Sequence, residues 1–533
     1  MPPFHMVPSA LLALLIAALP ANAQDSSASP EPAAQTTPDA AALPDMAVIE
    51  QAWARRDYVF VREGLRQLAQ QTGTPLAQFR YGRVLLEGRG GPRDIAGAVL
   101  WLDRAVAQNH IEAATLLARV LLSADIPDQP RDPERAAALL NRAAARGDAE
   151  AQYYLGLLAR SGQGMAPDPE AAFTWFLAAA EQGNIAAQYA VAQAYARGEG
   201  TKPDPTEGLR WLEEAAGQGH IEAQFSLAQA YDTGQGAAAN AQAALRWYRR
   251  AAEAGLPLAQ RILGTRYLTG TDVTVDATEA LRWLTAAAEA GDPGAMFNLG
   301  QSYATGAVLP QDDALAFQWY ESAADTDLPR AQAVLGQFYE IGRGVPREMD
   351  RAIALYRQAA EAGEPAAMQQ LGRLAASGAL DGKLAPQRAV PWAAAAAAAG
   401  NAEAQDWLSA RAEDGTHGAA GALGQLLLDT PERQAEALAL ITRAAEAGDV
   451  PAQALLGQAY ASGDHGLTQD YVAAHTWLNL AGGAGDGAAA ATRDVIAALM
   501  TPEQIAEAQT AARALYAGIA AQVPQTEQTV VRP

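Results

Sequence analysis

Cysteine is absent from all 533 residues. Its absence excludes disulfides, thiolate metal centres, cysteine nucleophiles and a lipid-modified N-terminal cysteine. Lysine is nearly absent, with only Lys202 and Lys383, so positive charge comes from arginine, whose planar fork forms two-point pairs with carboxylates. The 38 Lys and Arg face 60 Asp and Glu, for a net charge of -22. Such a field repels phosphate backbones and anionic head groups, which argues against nucleic-acid binding. Beyond the N-terminus no run of about 20 uncharged apolar residues is long enough to span a bilayer. There are six histidines, but no HExxH, no G-x-S-x-G elbow, no Walker loop and no G-x-G-x-x-G after a strand. No catalytic residue, cofactor or metal is therefore expected. Apolar residues, in contrast, make up half of the chain. It should fold, and it is too long for a single core.

The N-terminus reads as an export signal. Pro8 to Pro20 is an apolar segment of signal-peptide length, and Ala21-Asn22-Ala23 supplies an A-x-A cleavage pattern. Cleavage after Ala23 is expected, although no Lys or Arg precedes the apolar core. Residues 24–44 are rich in Ser, Pro, Ala and Thr without periodicity and read as a disordered linker. An exported, cysteine-free, unanchored protein fits a bacterial periplasm.

From there on one phrase recurs: aromatic, apolar, two variable residues, Ala-Ala, then Gly. Trp211-Leu212-Glu213-Glu214-Ala215-Ala216 ends at Gly219, and Trp247-Tyr248-Arg249-Arg250-Ala251-Ala252 ends at Gly255. The lead residue returns every 36 residues six times in succession from Leu139 to Leu355. Such a period marks a stacked repeat. Each period reads as two helices. The first ends in a glycine loop such as Gly198-Glu199-Gly200 or Gly342-Arg343-Gly344. The second starts at a capping residue: Asp204 with Glu207 and Asp276 with Glu279 have capping-box spacing, while Asp132-Pro133 and Asp168-Pro169 place proline at the first helical position. Recurrent Ala and Gly allow close helix approach. The register breaks once: Trp392 to Leu440 spans 48 residues, which places an irregular insertion at 413–431 with apolar content enough for a short extra helix.

The pattern A-x-A-Q-x-x-L-G-x-x-Y-x-x-G followed by D-x-x-x-A-x-x-W-x-x-x-A-A-x-x-G, seen near Ala331-Gln332-Ala333-Val334-Leu335-Gly336-Gln337-Phe338-Tyr339 and Gly342, resembles the Sel-1-like repeat of the tetratricopeptide superfamily. The resemblance implies an all-α, right-handed α-solenoid of about eleven stacked helix-turn-helix repeats with terminal cap helices. The expected order is an N-terminal cap helix over residues 45–75, essentially one amphipathic helix from Asp45 to Gly73, repeats over 76–412 and 432–486, C-terminal cap helices over 487–520, and a disordered tail over 521–533. Thr501, Pro502 and Gln504 have capping-box spacing with proline at the first helical position. Two capped ends oppose end-to-end stacking, so a monomer is expected.

Candidate binding residues come from helix geometry. With Ala187, Val191 and Tyr195 facing the core at 100° per residue, Tyr189 and Gln193 point the opposite way. In solenoids of the resembled type this side lines the concave groove. The first such position carries Phe79, Tyr153, Tyr189, Phe225 and Phe297, and the second carries Gln193, Gln229, Gln301 and Gln337. Rings and amides together suit an extended peptide. Two readings stay open at this stage: contact with a partner, or packing of the rings against the adjoining repeat. His110 and His220 follow second helices and read as exposed turn residues. The resemblance implies a non-enzymatic scaffold for a protein or peptide partner, in envelope signalling or assembly. A peptidoglycan or carbohydrate binder or hydrolase using the aromatic stripe is the alternative.

Overall fold

The computed structural model describes residues 45–124, 126 and 130–522. The expected signal peptide and linker, and the tail from residue 523, lie outside the described residues. Every regular element among these residues is a helix, and the chain is an all-α solenoid of repeated helix-turn-helix units. The helices fall into two compact units, one ending at Leu263 and the other starting at Gly264. No helix among the described residues is long and apolar enough to cross a membrane.

Each repeat pairs two helices across a seam where glycine or alanine faces glycine or alanine. In the first unit Ala149–Ser161 lies against Pro169–Glu181. A methyl group on Gly156 would stand 2.6 Å from the Phe176 ring and 3.2 Å from the Ala172 carbonyl oxygen. One repeat later the glycine moves to the other partner: Ala192 of Ile185–Arg197 faces Gly208 of Pro205–Gly217, whose Cβ would lie 3.3 Å from the Ala192 carbonyl oxygen. The second unit repeats the device. There Gly336 of Pro329–Ile341 abuts Tyr356 of Met349–Glu361, which is fully buried.

The glutamine of A-x-A-Q fastens each first helix to the second helix before it. Gln152, Gln188 and Gln224 are at most 8% exposed. Their Nε2 groups donate to the carbonyls of Ala144 (3.4 Å), Ala180 (3.5 Å) and Ala216 (3.2 Å). Those are terminal helix carbonyls with no partner inside their own helix. The amide oxygens are satisfied in turn: Gln182 Nε2 donates to Gln152 Oε1 at 2.7 Å and Gln218 Nε2 to Gln188 Oε1 at 3.0 Å. At Gln224 the equivalent donor position holds Ala254, and Gln224 Oε1 is buried without a partner.

Loops and helix starts follow from the same sequence signals. Gly198 ends its helix in the left-handed conformation at φ 71°. Gly200, at φ 72°, abuts the Pro169 carbonyl of the preceding repeat, so a side chain there has no space. The second glycine of G-x-G is thus an inter-repeat contact. Asp204 Oδ1 accepts the Thr206 and Glu207 amides (both 3.1 Å). Glu207 does not complete a box. Its carboxylate takes Arg210 instead.

Two segments depart from expectation, and the C-terminal cap meets it. The N-terminal cap is two helices, Met46–Ala54 and Tyr58–Gln71, because Arg56 turns left-handed (φ 62°) and Asp57 caps the second helix by accepting from Phe60 N at 3.2 Å. In the second unit the expected irregular insertion holds the helix Ala419–Leu427, and Gly424 in it meets Ile441 and the Ala437 carbonyl of Gln434–Glu446, as a first helix meets its second. The surplus helix is therefore Ala402–Glu413. At the C-terminus, Pro502–Gln522 lies on Tyr471–Gly483, with Thr476 Oγ1 donating to the Ala508 carbonyl at 3.3 Å. The Thr501–Gln504 box closes in both directions, at 2.9 Å and 3.3 Å.

Replacing Gln188 with Leu removes its bonds to the Ala180 carbonyl, which keeps only the Gly183 amide, and to Gln218, and should lower stability by about 1–3 kcal/mol. Ala254→Gln, which supplies the missing donor to Gln224, should raise it by about 1 kcal/mol. Thermal and urea unfolding followed by circular dichroism checks both. Unchanged midpoints would mean that the buried glutamines do not hold the repeats together.

Candidate functional site

The candidate rings share one helical position but not one environment. Tyr153 is 7% exposed and Phe297 4%. Tyr153 packs on Tyr154 and Phe176 at ring distances of 5.5 and 5.9 Å, and burial raises the pKa of its phenol. Phe297 contacts Tyr320 at 5.3 Å, with the Arg330 guanidinium 4.3 Å over its face. Neither ring presents a free face, so both belong to the packing, and the expected continuous stripe is interrupted at these two positions. Phe79, Tyr189 and Phe225 are half-buried.

Phe79 and Tyr189 explain two histidines that the sequence reading placed as exposed turn residues. Phe79 stacks on His110 at 4.7 Å, and Tyr189 lies against His220 at 4.7 Å. Both histidines are half-buried N-caps of the next repeat's first helix: His110 Nδ1 accepts from Ala113 N and His220 Nδ1 from Ala223 N, each at 3.3 Å. They fill the position held elsewhere by Asn184 and Asp292, which cap in the same way. That shared repeat position was the signal that could have identified them. Tyr189 also shares a hydrogen bond with Ser226 Oγ at 3.3 Å, and Phe225 touches Tyr248 at 5.7 Å. These three rings thus bridge to neighbouring side chains while keeping part of their surface in water.

The amide row behaves differently. Gln193 and Gln229 in the first unit and Gln337 in the second are half-buried, and Gln301 is exposed. Among the described residues none of these four side-chain amides has a hydrogen-bond partner within the protein. Arginines in the same row are occupied: Arg83 pairs with Glu87 at 2.7 Å and Arg119 with Glu150 at 2.9 Å. In the second unit Arg373 pairs with Glu340, which also accepts the Tyr356 hydroxyl at 2.8 Å. The open polar groups on this side are therefore neutral donor–acceptor amides flanked by partly exposed rings. No three His, Asp or Glu side chains among the described residues converge as a metal site would require.

His475 lies elsewhere, in the second unit on the helix Tyr471–Gly483. It is 4% exposed and its Nδ1 is buried without a partner. Burial lowers its pKa. Arg493 acts in the same direction, and Asp494 opposes it. The neutral imidazole is thus favoured in the folded chain, so its contribution to stability is complete above the unfolded value of about 6.5 and is lost as pH falls through the lower folded value. The equivalent residue in the first unit's F-T-W phrase is Phe173. His475→Phe should accordingly flatten the decline in melting temperature between pH 7 and pH 5. An identical decline in both proteins would assign it to other groups.

Comparison with known proteins agrees with this geometry. The family model described as Sel1 repeat matches residues 75–110, 111–148, 149–184, 185–220, 221–256, 257–292, 293–326, 329–364 and 450–486, more than half of the chain. The unmatched stretch from 365 to 449 includes the surplus helix. The chain is similar to a protective antigen present in uropathogenic Escherichia coli strains and displaying an SLR fold, at 28% identity over 89% of this chain and 98% of that one, with a TM-score of 0.58. A Sel1 repeat protein from Oxalobacter formigenes is 30% identical over 64% of this chain and 98% of that one, with a TM-score of 0.48. No curated protein matches the chain.

Proposed function

Because its repeats match the family model over more than half its length, the chain belongs to the Sel1 repeat family, and from that premise we propose that it is a non-enzymatic periplasmic scaffold that holds a protein segment for envelope signalling or assembly. One observation carries the reading: Gln193 and Gln229 in the first unit, and Gln301 and Gln337 in the second, keep their amides unpaired within the protein. An amide offers one acceptor and two donors, the complement of an extended backbone. Phe79, Tyr189 and Phe225 add apolar area beside them at small entropic cost. Tyr153 and Phe297 act from beneath, by fixing the helices. A sugar-stacking stripe gains no support here, since two of its five rings are buried.

Charge narrows the partner. From residue 264 on, Asp and Glu outnumber Lys and Arg two to one, whereas over residues 45–263 they nearly balance. A neutral segment suits the first row, and a neutral or basic one the second, with association slowed by salt at the second. The apolar segment from Pro8 to Pro20 and the Ala21-Asn22-Ala23 pattern support export.

Capture from the native envelope fraction tests the proposal. Wild type should retain a specific protein that is lost from Gln193→Arg/Gln229→Arg, from Gln301→Arg/Gln337→Arg, or from both, while each variant keeps its helical circular dichroism. Equal capture by all three removes the amide rows as the site. N-terminal sequencing of the mature protein should begin near Gln24, and a chain starting at Met1 would reject export.

A further inference from the structure

In the second unit, a cleft of about 520 Å³ opens where the last repeat meets the C-terminal helix, lined by Tyr460, Thr468, Gln469, Asp470, Tyr471, Val472 and Gln504. Its size falls within the range of small-molecule sites. Its polar atoms divide into those used by the fold and those left over. Asp470 Oδ1 accepts Val472 N at 2.9 Å and Ala473 N at 3.0 Å as the N-cap of Tyr471–Gly483, which leaves Oδ2 open. Gln504 Oε1 accepts Thr501 N at 2.9 Å, leaving the Nε2 donor. Gln469 Nε2 donates to the Ala461 carbonyl at 2.8 Å and to the Tyr471 hydroxyl at 3.2 Å. Its own Oε1 and the Tyr471 O–H proton remain. The Tyr460 and Thr468 hydroxyls have no partner among the described residues.

Capping bonds therefore hold an acceptor and a donor in fixed orientations, with further hydroxyls and two half-buried rings around them. No Lys, Arg or His lines the cleft and Asp470 does, so a phosphate or carboxylate ligand would meet repulsion rather than a counter-charge. A sugar ring fits this set. Its adjacent hydroxyls each donate and accept, and its C–H face packs on aromatic surface. We propose that this cleft is a binding site for a neutral carbohydrate, separate from the amide rows and independent of the scaffold reading.

The test uses the full mature chain with N-acetylglucosamine trisaccharide and maltotriose as probes, measured by isothermal titration calorimetry and saturation-transfer NMR. Saturable binding of at least one is expected. It should weaken about tenfold or more in Gln504→Glu, which keeps the capping oxygen but replaces the free donor with a second carboxylate beside Asp470. Asp470→Asn keeps a capping oxygen and should weaken binding about tenfold by removing the free acceptor. Circular dichroism melts confirm that both variants stay folded. Failure of both sugars to saturate overturns the proposal, as does equal affinity in wild type and Gln504→Glu. Binding of trilysine in place of sugar, tightened by Gln504→Glu and abolished by Asp470→Asn, would also overturn it by identifying a cation site.

Discussion

Paired helices in this chain approach so closely that the residues facing each other at the seam are glycine or alanine, and most other features follow from that close approach. Gly156 over Ala172, Ala192 over Gly208 and Gly336 under Tyr356 satisfy the condition in different ways. The requirement falls on the pair rather than on one position, which is why glycine can change sides between successive repeats. Once the two backbones meet, the neighbouring ring has one place to go: Phe176, Tyr320 and Tyr356 each lie on the bare stretch of a facing helix. Burial there carries a polar consequence, since Tyr356 is fully buried and its hydroxyl takes Glu340 as a partner.

Glutamine shows how position decides the role of one side chain. At the fourth residue of the first helix it is buried and gives a helix-terminal carbonyl a second donor, beside the amide of the glycine just past the helix end, as Gln188 does with Gly183 at Ala180. Five residues further along the same helix it faces away from the seam with nothing in the protein to bind. Gln188 and Gln193 are the clearest pair, one bonded to Ala180 and Gln218, the other unpartnered. The buried row supplies cohesion and the exposed row supplies recognition capacity. Composition alone counts both as glutamine.

Much of this was legible beforehand because it is local. The 36-residue spacing, the glycine loops and the proline-led second helices are properties of short segments, and the helices begin and end where those residues place them. What was not legible depends on neighbours distant in sequence. Helical spacing gives Tyr153 and Tyr189 the same direction, yet Tyr153 lies among Tyr154 and Phe176 while Tyr189 keeps an exposed part beside His220. The break between 402 and 446 misled for a related reason. Ala402–Glu413 carries the A-x-A-Q phrase of a first helix, but Leu423-Gly424 carries its seam, so the consensus is divided between two helices and only packing shows which one meets Gln434–Glu446. At the N-terminus a continuous apolar pattern hid the turn at Arg56, although Asp57 is a sound capping residue once its place is known.

Stacked repeats produce nearly equivalent surfaces, so a distinctive site arises most readily where the repetition stops. In the second unit the final helix does not extend the stack but turns back over the outer face of Tyr471–Gly483. Its N-terminal turn, held by Thr501 and Gln504, stands beside the N-cap at Asp470. That fold-back buries Thr476, whose counterpart Thr174 is exposed. It also brings two capping residues together with their second polar atoms unspent. An interior repeat has one second-helix start per period and meets no second start on its outer side. The same cap that closes the hydrophobic stack thus creates a cleft lined by both a fixed acceptor and a fixed donor.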